Sequence, residues 1–126
     1  MSRHVLLIED EPNIIEAIRF LLTRDGWRVD THCDGTDAVQ VIEAAKPDLV
    51  ILDLMLPGKS GMDVLRDVRG IPEFAELPVL MLTARGQSRD RDMAEKAGVS
   101  RFMTKPFSNA EVVTAVRDLL AQASRP

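Results

Sequence analysis

Asp53 is a single carboxylate at the end of a short apolar run, which makes it a candidate for a chemically active residue. Residues 50–52 are wholly apolar and rich in β-branched side chains, a pattern typical of a strand buried on both faces. Pro57 and Gly58 then indicate a turn. A carboxylate at the end of a buried strand costs free energy unless it is hydrogen-bonded, metal-bound or reactive. Asp53 alone could simply mark the exit of the strand, so its interpretation depends on what lies near it.

Polar residues also end three other apolar runs. Glu9 and Asp10 follow residues 4–8, Thr83 ends residues 79–83, and Lys105 follows residues 101–104. Because the carboxyl ends of parallel strands meet at one edge of a sheet, we expect these side chains to converge with Asp53. Each has a simpler explanation alone, such as a helix cap, a strand-end residue or a solvated lysine. Four coincidences at one edge favour a functional site.

The chemistry of these residue types is complementary. Three crowded carboxylates are unfavourable without a cation, and hard oxygen ligands in this number suit Mg²⁺. Asp53 can act as a carboxylate nucleophile that forms an acyl phosphate. Lys105 can neutralise charge on a transferring phosphoryl group, and the Thr83 hydroxyl can donate to one of its oxygens. Asp53 is expected to be ionised at neutral pH, so that no general base is required.

The elements that carry these residues alternate between strand and helix. Strands are predicted at residues 4–8, 27–33, 50–53, 79–83 and 101–104, and each is followed by a stripe of apolar residues at helical spacing. Pro12 is placed at a first helical position, and Thr36, Ser60 and Ser108 are predicted N-caps. Five such units predict an α/β fold with a doubly wound parallel sheet and right-handed crossovers.

Composition narrows the class of protein. The chain has 126 residues, 45% of them hydrophobic, which predicts a single domain over residues 1–126. A net charge of −4 without a basic run argues against direct binding to nucleic acid. One cysteine, Cys33, excludes an internal disulfide, favours a reducing compartment and is expected in a strand or the core. With no signal-peptide or membrane-spanning pattern, the expected location is the cytoplasm.

The chain resembles the receiver domain of two-component response regulators over essentially its whole length. The matching motifs are residues 7–11 (Leu-Ile-Glu-Asp-Glu), Asp53 with Met55-Leu56-Pro57 and Gly61, Thr83-Ala84, and Lys105-Pro106-Phe107. The resemblance implies a flavodoxin-like fold with five strands in the order 2-1-3-4-5. It also implies a signalling protein that catalyses only its own phosphorylation and dephosphorylation and regulates a protein effector.

The same resemblance assigns roles at the site. Asp53 would be the phosphoacceptor, and the donor a phosphohistidine on a sensor histidine kinase or a phosphotransfer protein. Asp10, Asp53 and the backbone carbonyl of Met55 would ligate Mg²⁺ or Mn²⁺, with Glu9 acting mainly through water. Met55 and Arg85 occupy positions that tune how water reaches the acyl phosphate.

The resemblance further assigns a switch. Phosphorylation would draw Thr83, next to Ala84, inward and let the Phe102 ring occupy the space, which remodels the face of the fourth helix, last strand and last helix. In DNA-binding relatives this face forms a symmetric dimer through ion pairs. Here Ser100 and Arg101 stand where those relatives have acids, while the basic Arg91 and Arg117 and the acidic Glu111 remain. We therefore expect a monomer or a weak dimer.

Other functions fit the residues less well. A haloacid-dehalogenase-type phosphatase would need a second acid two residues after its nucleophile, where this chain has Met55. A flavodoxin-like electron carrier would need a phosphate-binding loop where this chain has three acids, residues 9–11. A domain that has lost phosphorylation would be expected to lack some of these residues. The chain could also be the receiver part of a longer DNA-binding regulator or hybrid kinase, although its start at Met1 and short tail favour a stand-alone protein.

Overall fold

Strands and helices alternate throughout the computed structural model, which describes residues 3–84 and 88–123. The strands are β1 (His4–Ile8), β2 (Arg28–His32), β3 (Leu49–Asp53), β4 (Val79–Thr83) and β5 (Arg101–Thr104). The α-helices are α1 (Pro12–Arg24), α2 (Ala38–Ala45), α3 (Gly61–Arg69), α4 (Ser88–Lys96) and α5 (Asn109–Ala123), and a 3₁₀ turn covers Pro72–Phe74. None of the helices in these two ranges combines the length and apolarity needed to cross a membrane.

The five strands form one parallel sheet in the order β2-β1-β3-β4-β5, which confirms the predicted fold. The central strand, β3, pairs with β1 through Ile8 and Leu52, and with β4 through Leu82 and Asp53. The end of β3 is therefore flanked by the ends of two other strands. This pairing places Asp53 at the middle of the carboxyl edge of the sheet.

Two apolar clusters cover the two faces of the sheet. Leu6 and Leu52 pack on the face covered by α2 and α3, whereas Leu7 and Ile51 pack on the face covered by α1 and α5. These four side chains are buried almost completely, and burial of each contributes about 1.5–3 kcal/mol to folding. Strands β1, β3 and β4 are thus buried along their whole length, which fixes where their polar ends emerge.

Three of the predicted helix starts are confirmed. Pro12 is the first residue of α1. The Ser60 hydroxyl accepts a hydrogen bond from the Asp63 amide at 3.2 Å and caps α3. Ser108 and Glu111 bond reciprocally: the Glu111 amide donates to the Ser108 hydroxyl at 3.1 Å, and the Ser108 amide to the Glu111 carboxylate at 3.2 Å.

Two predictions around β2 are wrong. The N-cap of α2 is Asp37, without a side-chain capping bond, rather than Thr36. Thr36 is engaged in a turn in which its amide donates to the Asp34 carboxylate at 2.6 Å. Cys33 is exposed rather than buried, because it lies just past the end of β2, the edge strand of the sheet.

Candidate functional site

Three carboxylates meet at the carboxyl edge of the sheet, as the strand ends predict. Asp53 is the last residue of β3, and Glu9 and Asp10 follow β1 directly. One carboxylate oxygen from each of the three lies within 4.8 Å of the others. Oxygen atoms of this kind are the ligands that Mg²⁺ and Mn²⁺ prefer. These side chains could therefore hold a hard divalent cation.

The three carboxylates differ in their surroundings. Glu9 and Asp53 are buried, with 0% and 3% of their surface exposed, whereas Asp10 is exposed. Glu9 accepts hydrogen bonds from the amides of Asp10 and Glu11 at 3.0 and 3.2 Å and from Lys105 at 2.8 Å. The Glu9 carboxylate is thus largely occupied by protein donors. Asp10 offers the more accessible oxygen atoms.

Lys105 reaches the site from the end of β5. Its amide donates to the Thr83 carbonyl at 2.7 Å, and its Nζ lies 2.8 Å from Glu9 Oε1 and 3.5 Å from Asp53 Oδ2. Burial disfavours the ammonium, but the hydrogen bond to Glu9 and the charges of Asp53 and Glu9 outweigh burial and raise the pKa of Lys105. Lys105 is therefore a fixed cation beside Asp53. Its closest partner is Glu9, which sequence reasoning did not identify.

The protein's own groups raise the pKa of Asp53 to about 7. Burial is the largest cause, followed by the hydrogen bond and the charge of Glu9, while Lys105 and the Met55 amide act in the opposite direction. Burial also raises the pKa of Glu9, but hydrogen bonds with Asp53, Lys105 and the Glu11 amide outweigh it and lower that pKa. A proton held by the pair therefore resides on Asp53. When only the protein's own groups surround Asp53, the expectation that it is fully ionised at neutral pH is wrong.

This electrostatic arrangement predicts that Asp53→Asn stabilises the protein at pH 8. The folded-state pKa of Asp53, about 7, lies above its ordinary 3.8, so the stability that this group contributes falls as pH rises between those values. Asparagine stays neutral and avoids the cost of a second buried anion. We expect the free energy of unfolding to rise by about 1–3 kcal/mol at pH 8 and to change less at pH 5. Urea unfolding in the presence of EDTA, monitored by Trp27 fluorescence, measures the free energy of unfolding at both pH values.

The exposed Asp92 of α4 provides the control for this measurement. Asp92→Asn makes the same chemical change away from the carboxylate cluster and should shift stability little at either pH. A gain for Asp53→Asn that is equal at pH 5 and pH 8, or a net loss at pH 8, would contradict the assignment of the proton to Asp53.

The remaining predicted residues on β3 and β4 lie around Asp53. Thr83 is fully buried at the end of β4, and Ala84, which follows it, is exposed. The Met55 amide donates to Asp53 Oδ1 at 3.2 Å, and 53% of the surface of Met55 is exposed. Met55 is thus placed beside the carboxylate without being packed over it. Arg85 lies outside the described residues.

Phe102 lies on β5, opposite Met81, and is half-buried against the cluster that α2 and α3 cover. The guanidinium of Arg91, on α4, sits 5.4 Å from the centre of the Phe102 ring, within the range of a cation–π contact. Sequence reasoning missed this pair. A contact between a strand and a helix that precedes it leaves no spacing signal in the sequence.

The chain is similar to a known protein family and to several solved structures. The family model "Response regulator receiver domain" matches residues 5–117. The BeF3-activated N-terminal receiver domain of RstA from Klebsiella pneumoniae is 32% identical, with a TM-score of 0.86, and the match covers 93% of this chain and 97% of that one.

Two further similar structures are receiver domains of histidine kinases. The one from Syntrophus aciditrophicus is 28% identical with a TM-score of 0.91, and the match covers 99% of this chain and 95% of that one. The one from a sensor histidine kinase of Pseudomonas aeruginosa is 29% identical with a TM-score of 0.88, covers 96% of this chain and 99% of that one, and holds a magnesium ion in its active-site cleft. With a family model that spans most of the chain and a shared five-stranded fold, this protein belongs to the response regulator receiver domains of two-component systems.

Proposed function

We propose that this protein is a phosphorylation-activated switch that accepts a phosphoryl group from a phosphohistidine onto Asp53. The observation that carries the proposal is the convergence of Asp53, the carboxylates of Glu9 and Asp10, and the Lys105 ammonium at one sheet edge. The donor would be a sensor histidine kinase or a histidine phosphotransfer protein. We place the reaction in the cytoplasm, where kinases have access to ATP.

The transfer forms one bond and breaks one. An ionised Asp53 oxygen attacks phosphorus, the P–N bond to the donor imidazole breaks, and the imidazole keeps the electron pair and takes a proton from water. Lys105, 3.5 Å from Asp53 Oδ2, is close enough to turn from Glu9 toward the incoming phosphoryl oxygens. Thr83 and the backbone of Ala84, at the neighbouring strand end, would donate to those oxygens.

The carboxylates fit a divalent cation, because three hard oxygen donors converge and, within residues 3–84 and 88–123, Lys105 is the one basic side chain bonded to them. Asp10, Asp53 and the Met55 carbonyl would be its protein ligands, with Glu9 acting through water and through Lys105. When bound, Mg²⁺ or Mn²⁺ neutralises charge on the phosphoryl oxygens. Proton release from Asp53 would accompany binding, because a cation favours the ionised carboxylate.

The output would be a change of surface rather than turnover of a substrate. We propose residues 1–126 as one receiver domain that catalyses only its own phosphorylation and slow dephosphorylation. Thr83 and Phe102 would couple phospho-Asp53 to the face of α4, β5 and α5, and that face would regulate a protein effector. Met55 and Arg85 would set how fast water removes the phosphoryl group.

Beryllofluoride, a mimic of the phosphoryl group, tests this function. We expect it to bind at Asp53 only when Mg²⁺ is present, because the mimic and the three carboxylates are all negatively charged and repel one another without a cation. Fluorine NMR of the protein with beryllofluoride, before and after addition of EDTA, measures the dependence. Binding that is indifferent to the chelator would overturn the proposed site.

The chain could instead serve inside a hybrid kinase. Two of the similar structures are receiver domains of histidine kinases, and this observation supports that alternative. The same chemistry would then operate at Asp53, with the donor on the same polypeptide or on a phosphotransfer partner. A phosphotransfer profile against candidate kinases would separate the two settings.

We propose that the protein is a monomer or a weak dimer when activated. Three cations of this face have partners within the chain: Arg117 pairs with Asp25, Arg101 with Asp118 at 3.8 Å, and Arg91 with the Phe102 ring. Exposed ion pairs add only about 0–1 kcal/mol each, so their exchange between subunits would stabilise a dimer little.

Sedimentation at micromolar concentration, with Mg²⁺ and beryllofluoride, checks this expectation. A mass close to that of the monomer, or a dimer that dissociates on dilution, is the expected result. A tight symmetric dimer that is lost when Arg101 is changed to alanine would show that this face associates through its ion pairs and would contradict the proposal.

A further inference from the structure

Two loops at the carboxyl edge of the sheet interlock through a glycine of each. The first, residues 33–37, follows β2, and the second, residues 54–60, follows β3 and Asp53. The Gly35 amide donates to the Pro57 carbonyl at 3.0 Å, which joins the middle of one loop to the tip of the other. The chemistry of the site lies at the base of the second loop, and the first loop contributes no residue to it.

Neither glycine has room for a side chain. A Cβ atom on Gly35 would lie 2.8 Å from the carbonyl carbon of Lys59 and closer still to its oxygen. A Cβ atom on Gly58 would lie 2.8 Å from Asp34 Oδ1 and would overlap the Thr36 hydroxyl. Gly58 also has a φ of +82°, which favours glycine on its own. A side chain at Gly35 would meet the Lys59 backbone, and one at Gly58 would meet the Thr36 and Asp34 side chains in a backbone conformation that favours glycine, so both positions favour the absence of a side chain.

The interlock is one of several contacts that hold the tip of the second loop, and it is the one that ties the tip to the first loop. Its base is closed by hydrogen bonds from the Leu54 amide to Leu82 and from the Gly61 amide to Leu54, both 2.9 Å. Beyond the base, Leu56 packs against the core, the Lys59 amide donates to the Pro57 carbonyl at 3.0 Å, and the half-buried Lys59 side chain pairs with Asp67. Met55 lies between base and tip: its amide is tied to Asp53 Oδ1 at 3.2 Å, its exposed side chain adds little packing, and its carbonyl belongs to the peptide group that leads on to the tip.

We propose that Gly35 and Gly58 are positioning residues for cation binding, and that they act by fixing the Met55 carbonyl. This inference rests on the proposed function, which makes that carbonyl a ligand. Mg²⁺ demands near-ideal octahedral geometry with ligand distances of about 2.0–2.1 Å, so a small shift of one ligand weakens binding. Changes in residues that orient a ligand cost about 10–100-fold in metal affinity.

A Gly35→Ala variant of the full chain tests the proposal. Its methyl group must push the Lys59 backbone away, and we expect the affinity for Mg²⁺, measured by calorimetric titration, to fall about 10–100-fold. Gly70→Ala is the matched control, because a Cβ atom there meets only the Asp67 and Arg66 carbonyl oxygens at 3.4 and 3.6 Å. Its affinity should equal that of the wild type. Urea unfolding with EDTA shows which variants are folded.

A second pair of variants separates the interlock from backbone strain. Gly58→Ala should lower the Mg²⁺ affinity through both its φ and its overlap with Thr36. Adding Thr36→Ala removes the closest overlap but leaves the φ and the 2.8 Å approach to Asp34 Oδ1 unchanged, so the double variant should recover part of the lost affinity. Strain alone would give no recovery. This comparison also decides the proposal if Gly35→Ala fails to fold.

The outcomes distinguish this inference from the proposed function. If the wild type and Gly70→Ala bind Mg²⁺ and a folded Gly35→Ala binds it equally well, the interlock does not position the ligand, while the proposed function stands. A Gly58→Ala loss that Thr36→Ala does not restore also overturns the inference. A wild type that binds no Mg²⁺ overturns the proposed function, and this inference with it.

Discussion

An Asp53→Asn variant is expected to take up no phosphoryl label from acetyl phosphate or from a phosphorylated histidine kinase. Asparagine keeps the size of the side chain but lacks the ionisable oxygen that would attack phosphorus. Glu9 cannot easily substitute, because its carboxylate is buried and accepts bonds from Lys105 and two amides. Radiolabelling or intact-protein mass spectrometry should show wild-type uptake with Mg²⁺ and only background for the variant.

The nature of the label and two controls complete this test. An acyl phosphate hydrolyses in alkali, so the wild-type label should be lost at high pH, unlike a phosphoserine or phosphothreonine. Asp92→Asn should be labelled as the wild type is. Because Asp53→Asn is expected to be at least as stable as the wild type at pH 8, loss of labelling would not reflect unfolding. Labelling of Asp53→Asn at the wild-type rate would place the nucleophile elsewhere.

The parts of the fold that could be predicted from the sequence are those in which burial produces a clear pattern of apolar residues. Strands β1, β3 and β4 are buried on both faces, so each appears as an unbroken apolar run that ends at a polar residue. Because all strands are parallel, those polar ends had to share one edge, and Glu9, Asp53 and Thr83 do so. Ser60 and Ser108 were equally readable, since a cap depends on neighbours three residues away.

Contacts between side chains far apart in the sequence could not be predicted from it. Lys105 and Glu9 are 96 residues apart, and no local pattern says that the ammonium bonds to Glu9 at 2.8 Å while lying 3.5 Å from Asp53. The pKa of Asp53 follows from that geometry together with its burial. Sequence reasoning, which counted charges without distances, therefore assigned Asp53 a full charge at neutral pH.

The conformation of the loop after β2 also could not be predicted from the sequence. Thr36 is a good N-cap residue by type, but its amide donates to the Asp34 carboxylate and its hydroxyl lies next to Gly58, and the helix starts after Asp37. Cys33 is small and apolar, yet it follows an edge strand and is exposed. The local turn decided the first outcome and the position of β2 at the edge of the sheet decided the second, and intrinsic preference decided neither.

Asp10→Ala is expected to reduce Mg²⁺ affinity more severely than Glu9→Ala. Asp10 is exposed and contributes accessible ligand oxygens, whereas Glu9 is already bonded to Lys105 and two amides. Loss of a direct ligand should exceed the effect of about 10–100-fold that outer residues have on metal affinity, and Glu9→Ala should fall within that range. Calorimetric titration with Mg²⁺ at pH 8 compares them, and Glu11→Ala, which removes an exposed carboxylate nearby, is the control.

The pH dependence of the same titrations separates the two roles. In the wild type, Mg²⁺ competes with the proton on Asp53, whose pKa is about 7, so affinity should rise as pH increases from 6 to 8. Glu9→Ala removes the hydrogen bond and the charge that help raise that pKa, while Lys105 remains to lower it, so this dependence should flatten. Asp10→Ala leaves Glu9 and Lys105 in place and should keep a steep dependence in its residual binding. If Asp10→Ala binds Mg²⁺ as tightly as Glu11→Ala, or Glu9→Ala keeps the wild-type pH dependence, the division of roles between these two acids is wrong.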